Sequence, residues 1–374
     1  FSMTTSGDYY MKKSLLALAV LGAFAGVAQA QTNVTLYGSI DAGLRRVDKA
    51  NAAGDSRWTM GSNGTFQSNR IGFKGVEDLG GGLNAHFTLE SGFNSGTGAF
   101  DNTTNQLFQR TASVGLGGAW GSVDLGRQYT VAYRTTAVYD PFNYKFTTLI
   151  PVSGLALSGS RLNNDVQGTA VFGPVTARAE YALGEVAGST SAGSTKAIGA
   201  TFASGPFSAG AAYSKRSAAP IATGASITTA LNSTDGKNWT VGGAFATGPF
   251  RVAAGYMDEK LEPIGISIKN KSYWAGGSYN FTEAMALTAG YYRFKTTPTG
   301  FAEGKRDLFI IGGTYAVSKR TNFYLDVDRN KFTGSGVTAS STAGTGLTPI
   351  SSSSIAGAGV DKAVGVSVGI NHVF

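Results

Sequence analysis

Gly205-Pro206-Phe207-Ser208-Ala209-Gly210-Ala211-Ala212-Tyr213-Ser214 opens on a two-residue turn signal and runs on as a strict alternation. Phe207, Ala209, Ala211 and Tyr213 fall on one parity, and Ser208, Gly210, Ala212 and Ser214 on the other. This period of two is the mark of a strand with two unlike faces. The arrangement returns after Gly248-Pro249, where Phe250, Val252, Ala254 and Tyr256 oppose Arg251, Gly255 and Glu259. Near the start of the chain Val34, Leu36, Ile40, Ala42 and Leu44 oppose Thr35, Tyr37, Ser39, Asp41 and Arg45; near its end Phe323, Leu325 and Val327 oppose Tyr324, Asp326 and Asp328. No segment beyond residue 30 carries a sustained helical period with caps. The chain reads as all-β.

The punctuation sets the architecture. Very short turns are expected at Gly80-Gly81-Gly82, Gly117-Gly118-Ala119-Trp120-Gly121, Gly173-Pro174, Gly205-Pro206, Gly248-Pro249, Thr282-Glu283-Ala284 and Ser318-Lys319-Arg320. Gly supplies positive φ and Pro presets a turn dihedral. Between successive tight turns lie two strand-length segments joined by a longer polar connection, as at 48–65, 187–193, 218–236 and 333–360. Seven tight turns separate eight hairpins, hence a 16-stranded antiparallel β-barrel with short connections on one side and long external loops on the other. That asymmetry, with an even strand count and long strands, is the signature of a transmembrane barrel. Tyr181, Phe202, Phe207, Phe245, Phe250 and Phe281 are expected beside the tight turns as an interfacial girdle.

Composition narrows the function classes. The 374 residues include 53 Gly, 9 Pro and no Cys, with 14% charged and 42% hydrophobic residues. The missing cysteines exclude zinc fingers, disulfide scaffolds and cysteine enzymes. Only His86 and His372 are available for a histidine metal site or triad. Disorder is excluded by the 22 Phe and 16 Tyr together with the low charge. The one apolar run follows Met11-Lys12-Lys13, extends from Leu15 to Val27 and ends at Ala28-Gln29-Ala30, the pattern of a cleaved signal peptide. The expected organisation is therefore 1–10 as upstream or expression-derived residues, 11–30 as signal peptide and 31–374 as one barrel domain. Removing Asp8, Lys12 and Lys13 takes the formal charge from +8 to +7.

The chain ends on Phe374, which shares a parity with Val364, Val366, Val368 and Ile370. A terminal strand closing on Phe resembles the signal read by the outer-membrane assembly machinery. Further runs carry a wider resemblance: Val34-Thr35-Leu36-Tyr37-Gly38, Arg70-Ile71-Gly72-Phe73-Lys74-Gly75-Val76-Glu77-Asp78-Leu79-Gly80, Leu89-Glu90-Ser91-Gly92-Phe93, Gly121-Ser122-Val123-Asp124-Leu125-Gly126-Arg127-Gln128 and Asn371-His372-Val373-Phe374. With Val114-Gly115-Leu116 and Ser318-Lys319-Arg320-Thr321, the chain resembles the trimeric general porins of Gram-negative bacteria, of the Neisseria, Bordetella and Burkholderia type. The resemblance implies an outer-membrane homotrimer embedded in lipid, a water-filled channel for small hydrophilic solutes, and a third external loop folded into the lumen. That loop is 130–157, with Asp140-Pro141-Phe142 near its tip.

In such porins arginines on the barrel wall face acidic groups on the third loop. Arg70, Arg110 and Arg161 occupy the matching positions, and Lys74 shares a strand face with Arg70. Parity places Arg70 and Lys74 opposite Ile71 and Phe73, and Arg161 opposite Leu162. It points Arg110 outward, with Ala112, Val114 and Leu116, against what the resemblance implies. Along 130–157 the single acid Asp140 meets Arg134 and Lys145, so the loop adds no net negative charge. The expected constriction is basic and anion-preferring.

Other chemistries find little support. His86 and Glu90 read as lumen-lining polar residues, and Asp326 with Asp328 as wall charges paired with barrel cations. The Gly-rich segments lack the strand-to-helix context of a phosphate loop, and no basic–aromatic cluster supports nucleic-acid binding. No catalytic residue, metal or cofactor is expected. Two alternatives stand beside the diffusion channel. One is a solute-specific channel of the same fold, for which Tyr37, Trp274, Tyr292 and Tyr324 are the candidate lumen aromatics. The other is a barrel-anchored adhesin or enzyme.

Overall fold

The structure, a computed structural model, describes residues 33–51, 53–61, 65–102, 104–150, 159–220, 234–262, 267–299, 303–334 and 360–374. The expected signal peptide, 11–30, lies outside the described residues, as do 151–157 of the third loop. The first elements are β1 (Asn33–Val47), β2 (Arg57–Gly61), β3 (Arg70–Gly80), β4 (Leu83–Gly92), β5 (Thr111–Gly118) and β6 (Gly121–Tyr129). A helix α1 (Val131–Ala137) precedes β7 (Arg161–Phe172), β8 (Val175–Ala182), β9 (Thr195–Ser204), β10 (Phe207–Arg216) and β11 (Asp235–Thr247). The last are β12 (Phe250–Glu262), β13 (Ile268–Asn280), β14 (Met285–Pro298), β15 (Gly304–Ala316), β16 (Thr321–Thr333) and β17 (Lys362–Val373).

Seventeen strand segments make a 16-stranded wall. Along its first half β1 pairs with β3, from Asn33↔Val76 to Ser39↔Arg70; along its second it pairs with β2, from Gly43↔Gly61 to Val47↔Arg57. β2 and β3 are thus two pieces of one wall strand, and the described residues 65–69 between them leave the ladder. On its other side β1 pairs with β17, from Ser39↔Val373 to Val47↔Gly365, which closes the barrel. All neighbours are antiparallel and sequential. Closure joins the first and last wall strands, the condition for a sheet in hydrocarbon. The seven expected tight turns join β3–β4, β5–β6, β7–β8, β9–β10, β11–β12, β13–β14 and β15–β16. Both ends of the barrel chain lie on that side, where Phe374 and Gly38 exchange backbone hydrogen bonds of 2.9 and 3.1 Å.

The two parities face opposite ways, as the alternation requires. Val34, Leu36, Ile40 and Leu44 are exposed on the outside, while Ser39, Asp41 and Arg45 are buried on the inside. On the tight-turn side Phe202, Phe207, Phe250 and Phe281 stand exposed, and Phe207 packs on Phe245 with ring centroids 5.0 Å apart. Tyr181 departs from this girdle. It lies at the far end of β8, where its hydroxyl donates to the Thr190 carbonyl in a long connection.

The core lies inside the barrel, beneath the third loop. This loop is not structureless: α1 occupies its first turns, capped by Thr130, whose Oγ1 accepts from Tyr133 N at 3.1 Å. Seven residues are too few to register as a helical period. A diagonal of inward glycines on β9–β15 provides the trough that receives the loop. A Cβ on Gly199 would meet Val131 at 2.7 Å; on Gly242, Tyr139 at 2.6 Å; on Gly276, Pro141 at 2.8 Å; on Gly312, Phe146 at 3.2 Å. Side chains of the wall then take up the loop's backbone carbonyls. Arg251 donates to Val138 O (2.7 Å) and Asp140 O (3.2 Å), Trp274 Nε1 to Tyr139 O (2.9 Å), and Arg306 to Leu149 O. The excursion between β2 and β3 closes over the tip. Phe66 stacks on Tyr324 (5.1 Å) and its carbonyl accepts from Phe146 N (2.7 Å).

Candidate functional site: the pore constriction

Because the loop packs on β9–β16, the open passage is left between it and the wall of β1–β7. Arg70, at the start of β3, shares the inner face with Lys74, and its Nε lies 3.7 Å from Glu90 Oε2. Lys74 is exposed to the lumen, 5.6 Å from the Tyr37 ring. Arg110 also turns inward. Its Nε donates to Glu90 Oε1 at 2.6 Å and one Nη to the Tyr129 hydroxyl at 2.9 Å. Outward pointing, the expectation from parity, fails because Arg110 precedes the first ladder pair of β5, Thr111↔Glu90. The strand alternation does not bind it.

Tyr129 joins this group from an unexpected direction. Between Gly126 and Gln128 the β6–β7 register slips: two steps on β6 face three on β7, from Asp165 to Leu162, where Asn164 takes a positive φ of 53°. The Tyr129 hydroxyl accepts from both Arg110 and Arg161, its ring lies 4.1 Å from the Arg161 guanidinium, and it stacks on Tyr133 of α1 at 4.3 Å. One phenol therefore ties two wall arginines to the third loop. Lys145 approaches from the loop itself, half-buried, donating to Gln67 and lying 5.2 Å from the Phe66 ring. Burial, helped by the charge on Arg70, pulls its ammonium down to about 8.

Two expected constriction residues sit elsewhere. Asp140 is fully buried under the loop, accepting from Tyr292 (2.6 Å), Tyr144 N (2.8 Å) and Phe142 N (3.0 Å), so it anchors the tip and faces no solute. Burial raises its carboxyl to about 6. Arg134, on α1, donates to the Tyr129 carbonyl and lines a cavity of about 460 Å³ on the tight-turn side, with Arg178, His86 and Asp124. It belongs to the vestibule below the constriction. His86 and Glu90 do not meet: His86 pairs with Asp124 at 2.8 Å while Glu90 serves the arginines.

Glu90, Tyr129 and Arg178 were not among the expected site residues. The inward parity of Glu90 was legible; the register slip between β6 and β7 beside Tyr129 was not. The candidate lumen aromatics Trp274, Tyr292 and Tyr324 are buried beneath the loop, which they clamp, and only Tyr37 faces the passage. Asp326 and Asp328 flank Arg45 at 3.7 and 2.7 Å, as expected of wall charges. Glu90 pairs with Arg70 and Arg110, Asp41 acts on Lys145 and Asp101 on Arg110, so the five cations Arg70, Lys74, Arg110, Arg161 and Lys145 outnumber the acids beside them.

The family described as "Gram-negative porin" matches residues 17–335. An outer membrane porin protein of Bordetella pertussis is 46% identical over 149 residues, covering 36% of this chain and 38% of that one. The matched stretch thus spans well under half of that relative's length. The chain superimposes on an anion-selective porin from Comamonas acidovorans with TM-score 0.73 and 28% identity, over 92% of this chain and 100% of that one. An outer membrane protein of Vibrio cholerae, solved in a trimer form, shares the fold at 16% identity and TM-score 0.63, over 92% and 99% of the two chains.

Proposed function

This chain belongs to the Gram-negative porin family, an outer-membrane β-barrel, and from that premise we propose that it is a general diffusion channel with a preference for anions, and not an enzyme. Small hydrophilic solutes cross through the passage between the third loop and the wall of β1–β7. The observation that carries the anion preference is the excess of the five cations Arg70, Lys74, Arg110, Arg161 and Lys145 over the nearby acids Glu90, Asp41 and Asp101, with Asp140 withdrawn into the core. Fixed positive charge at a narrow point lowers the barrier for anions and raises it for cations. Screening acts over about 8 Å at physiological ionic strength, so the preference weakens as salt rises. The Comamonas protein of like fold is an anion-selective porin, which supports the same reading.

The working unit is a homotrimer, a reading supported by the trimer form of the Vibrio protein of like fold. The leader is removed after Ala30, and Phe374 is read by the outer-membrane assembly machinery. The reversal potential across a KCl gradient tests the selectivity. Wild type should give the sign of chloride preference, and Arg70→Glu with Arg161→Glu should move it toward potassium by tens of millivolts, a several-fold change in permeability ratio. Cation preference in the wild type, or an unmoved double variant, overturns the assignment.

A further inference from the structure

The external half of the barrel carries a row of lysines that neither the channel nor the fold requires. Lys196 on β9 pairs with Lys215 on β10, Lys215 with Lys237 on β11, Lys237 with Lys260 on β12, and Lys260 with Lys269 on β13. Five lysines on five adjacent strands are direct cross-strand neighbours. All have the outward parity, shared with the exposed Ile198, Tyr213, Trp239, Phe250 and Tyr279. Their inward neighbours Ala197, Ser214, Asn238, Leu261 and Asn270 are buried. With strands about 4.8 Å apart, the row spans roughly 20 Å.

Like charges directly opposite one another in a sheet oppose its formation. Relief within the row is partial: among the described residues Glu262 pairs with Lys260 and also acts on Lys237 and Lys269, and Lys196 lies 5.3 Å from the Tyr181 ring. Connections 217–234 and 263–267 contain no Asp or Glu. The adjacent row on β13–β15 is built differently. There Lys271 has Asp258 at 3.9 Å, and Lys295 and Lys305 share Glu303 at 3.3 and 2.9 Å. There three cations meet two acids, whereas the five lysines of the row have Glu262 among them.

Height in the membrane says what the open row meets. Two residues toward the tight-turn side of Lys215 and Lys237 stand Tyr213 and Trp239, and Tyr256 and Tyr273 continue that band with Trp239–Tyr256 centroids 4.9 Å apart. Exposed Trp and Tyr mark the membrane–water interface. The lysines stand just beyond it, on the long-loop side, at the level of external headgroups. We propose that the row Lys196–Lys215–Lys237–Lys260–Lys269 is a docking surface for the phosphorylated headgroups of outer-leaflet glycolipid. A phosphate row supplies the counter-charge that Glu262 alone leaves short, and the lysine stems lie along the aromatic band. The inference rests on the outer-membrane location and is independent of the anion preference.

The test uses the folded full-length barrel in neutral detergent, with bisphosphorylated lipid A as probe and its dephosphorylated form as control. Native mass spectrometry should show lipid retained by wild type, in preference to the dephosphorylated form and in the presence of millimolar inorganic phosphate. Substituting Lys215, Lys237, Lys260 and Lys269 together by Gln should weaken retention by about a hundredfold. The matching Lys→Arg set should keep it, and the reversal potential should be unchanged in both. If the Gln set fails to fold, acetylation of the wild type decides: the five lysines should be protected by lipid A, and Lys319 in a tight turn should not. Equal retention of dephosphorylated lipid, or displacement by inorganic phosphate, overturns the proposal. So does unaltered retention by a folded Gln set, or absence of protection.

Discussion

Lys145 is the residue at which the electrostatics of the passage can be read most directly. It comes from the third loop, donates to Gln67 and feels the charge of Arg70. Burial together with that charge holds its ammonium near 8, below the ordinary lysine range. Its charge is therefore present below about pH 8 and lost as pH rises through that value. Chloride preference should hold steady to neutral pH and then fall between pH 7 and 9, by roughly the effect of losing one of five cations. Lys145→Met should start from the lower preference and show no such step. Reversal potentials taken from pH 6 to 9.5 decide it, and a wild type flat across that range removes Lys145 from the passage. Asp140, the acid expected to face these cations, instead spends its oxygens on Tyr292 and two backbone amides.

At the scale of elements, the third loop and its trough are one device. The loop enters the lumen because its carbonyls find donors on β12, β13 and β15 and because inward glycines leave room for its aromatic side chains. Gly242 is the tightest point against Tyr139: an added Cβ would stand 2.6 Å from the Tyr139 Cβ, close to the backbone and unable to swing away. Gly242→Val should thus push the loop off the wall. The expected outcome is a larger single-channel conductance with weaker anion preference, at a stability loss of about 1–3 kcal/mol for overpacking. Unchanged conductance in a folded Gly242→Val barrel would show that the loop does not set the aperture. Single-channel recording in a planar bilayer measures it.

For the molecule as a whole, closure is completed by its last residue. Phe374 exchanges two backbone hydrogen bonds with Gly38, and its ring covers the place where a Gly38 side chain would stand, 2.3 Å from an added Cβ. Phe374→Ala keeps the backbone bonds and removes the ring. The yield of barrel in the outer membrane of cells should fall about tenfold, as for a lost assembly signal, while refolding into detergent falls less than twofold because the sixteen-stranded ladder is intact. Comparing the two yields checks this, and an equal loss in both would make the ring a structural wedge and no signal.

The wall is written in local sequence. Alternation and turn chemistry are local, and Gly205-Pro206 or Gly248-Pro249 needs no distant partner to end a strand. Strand count, the side of the tight turns and the two faces follow from such local signals, as does the inward placing of Arg70 and Lys74. The contents of the lumen were decided by tertiary structure. A Gly on an inward parity looks the same whether it borders water or receives Tyr139, and only the folded register lines Gly199, Gly242, Gly276 and Gly312 into a trough. Tyr129 lies past the register slip between β6 and β7, at the end of its strand against Arg161, where alternation no longer fixes facing. Arg110 lies one residue outside its ladder, where parity has no force. Strands are specified by neighbours in sequence. The passage is specified by which strands meet across it, and the chain meets itself only once the barrel has closed.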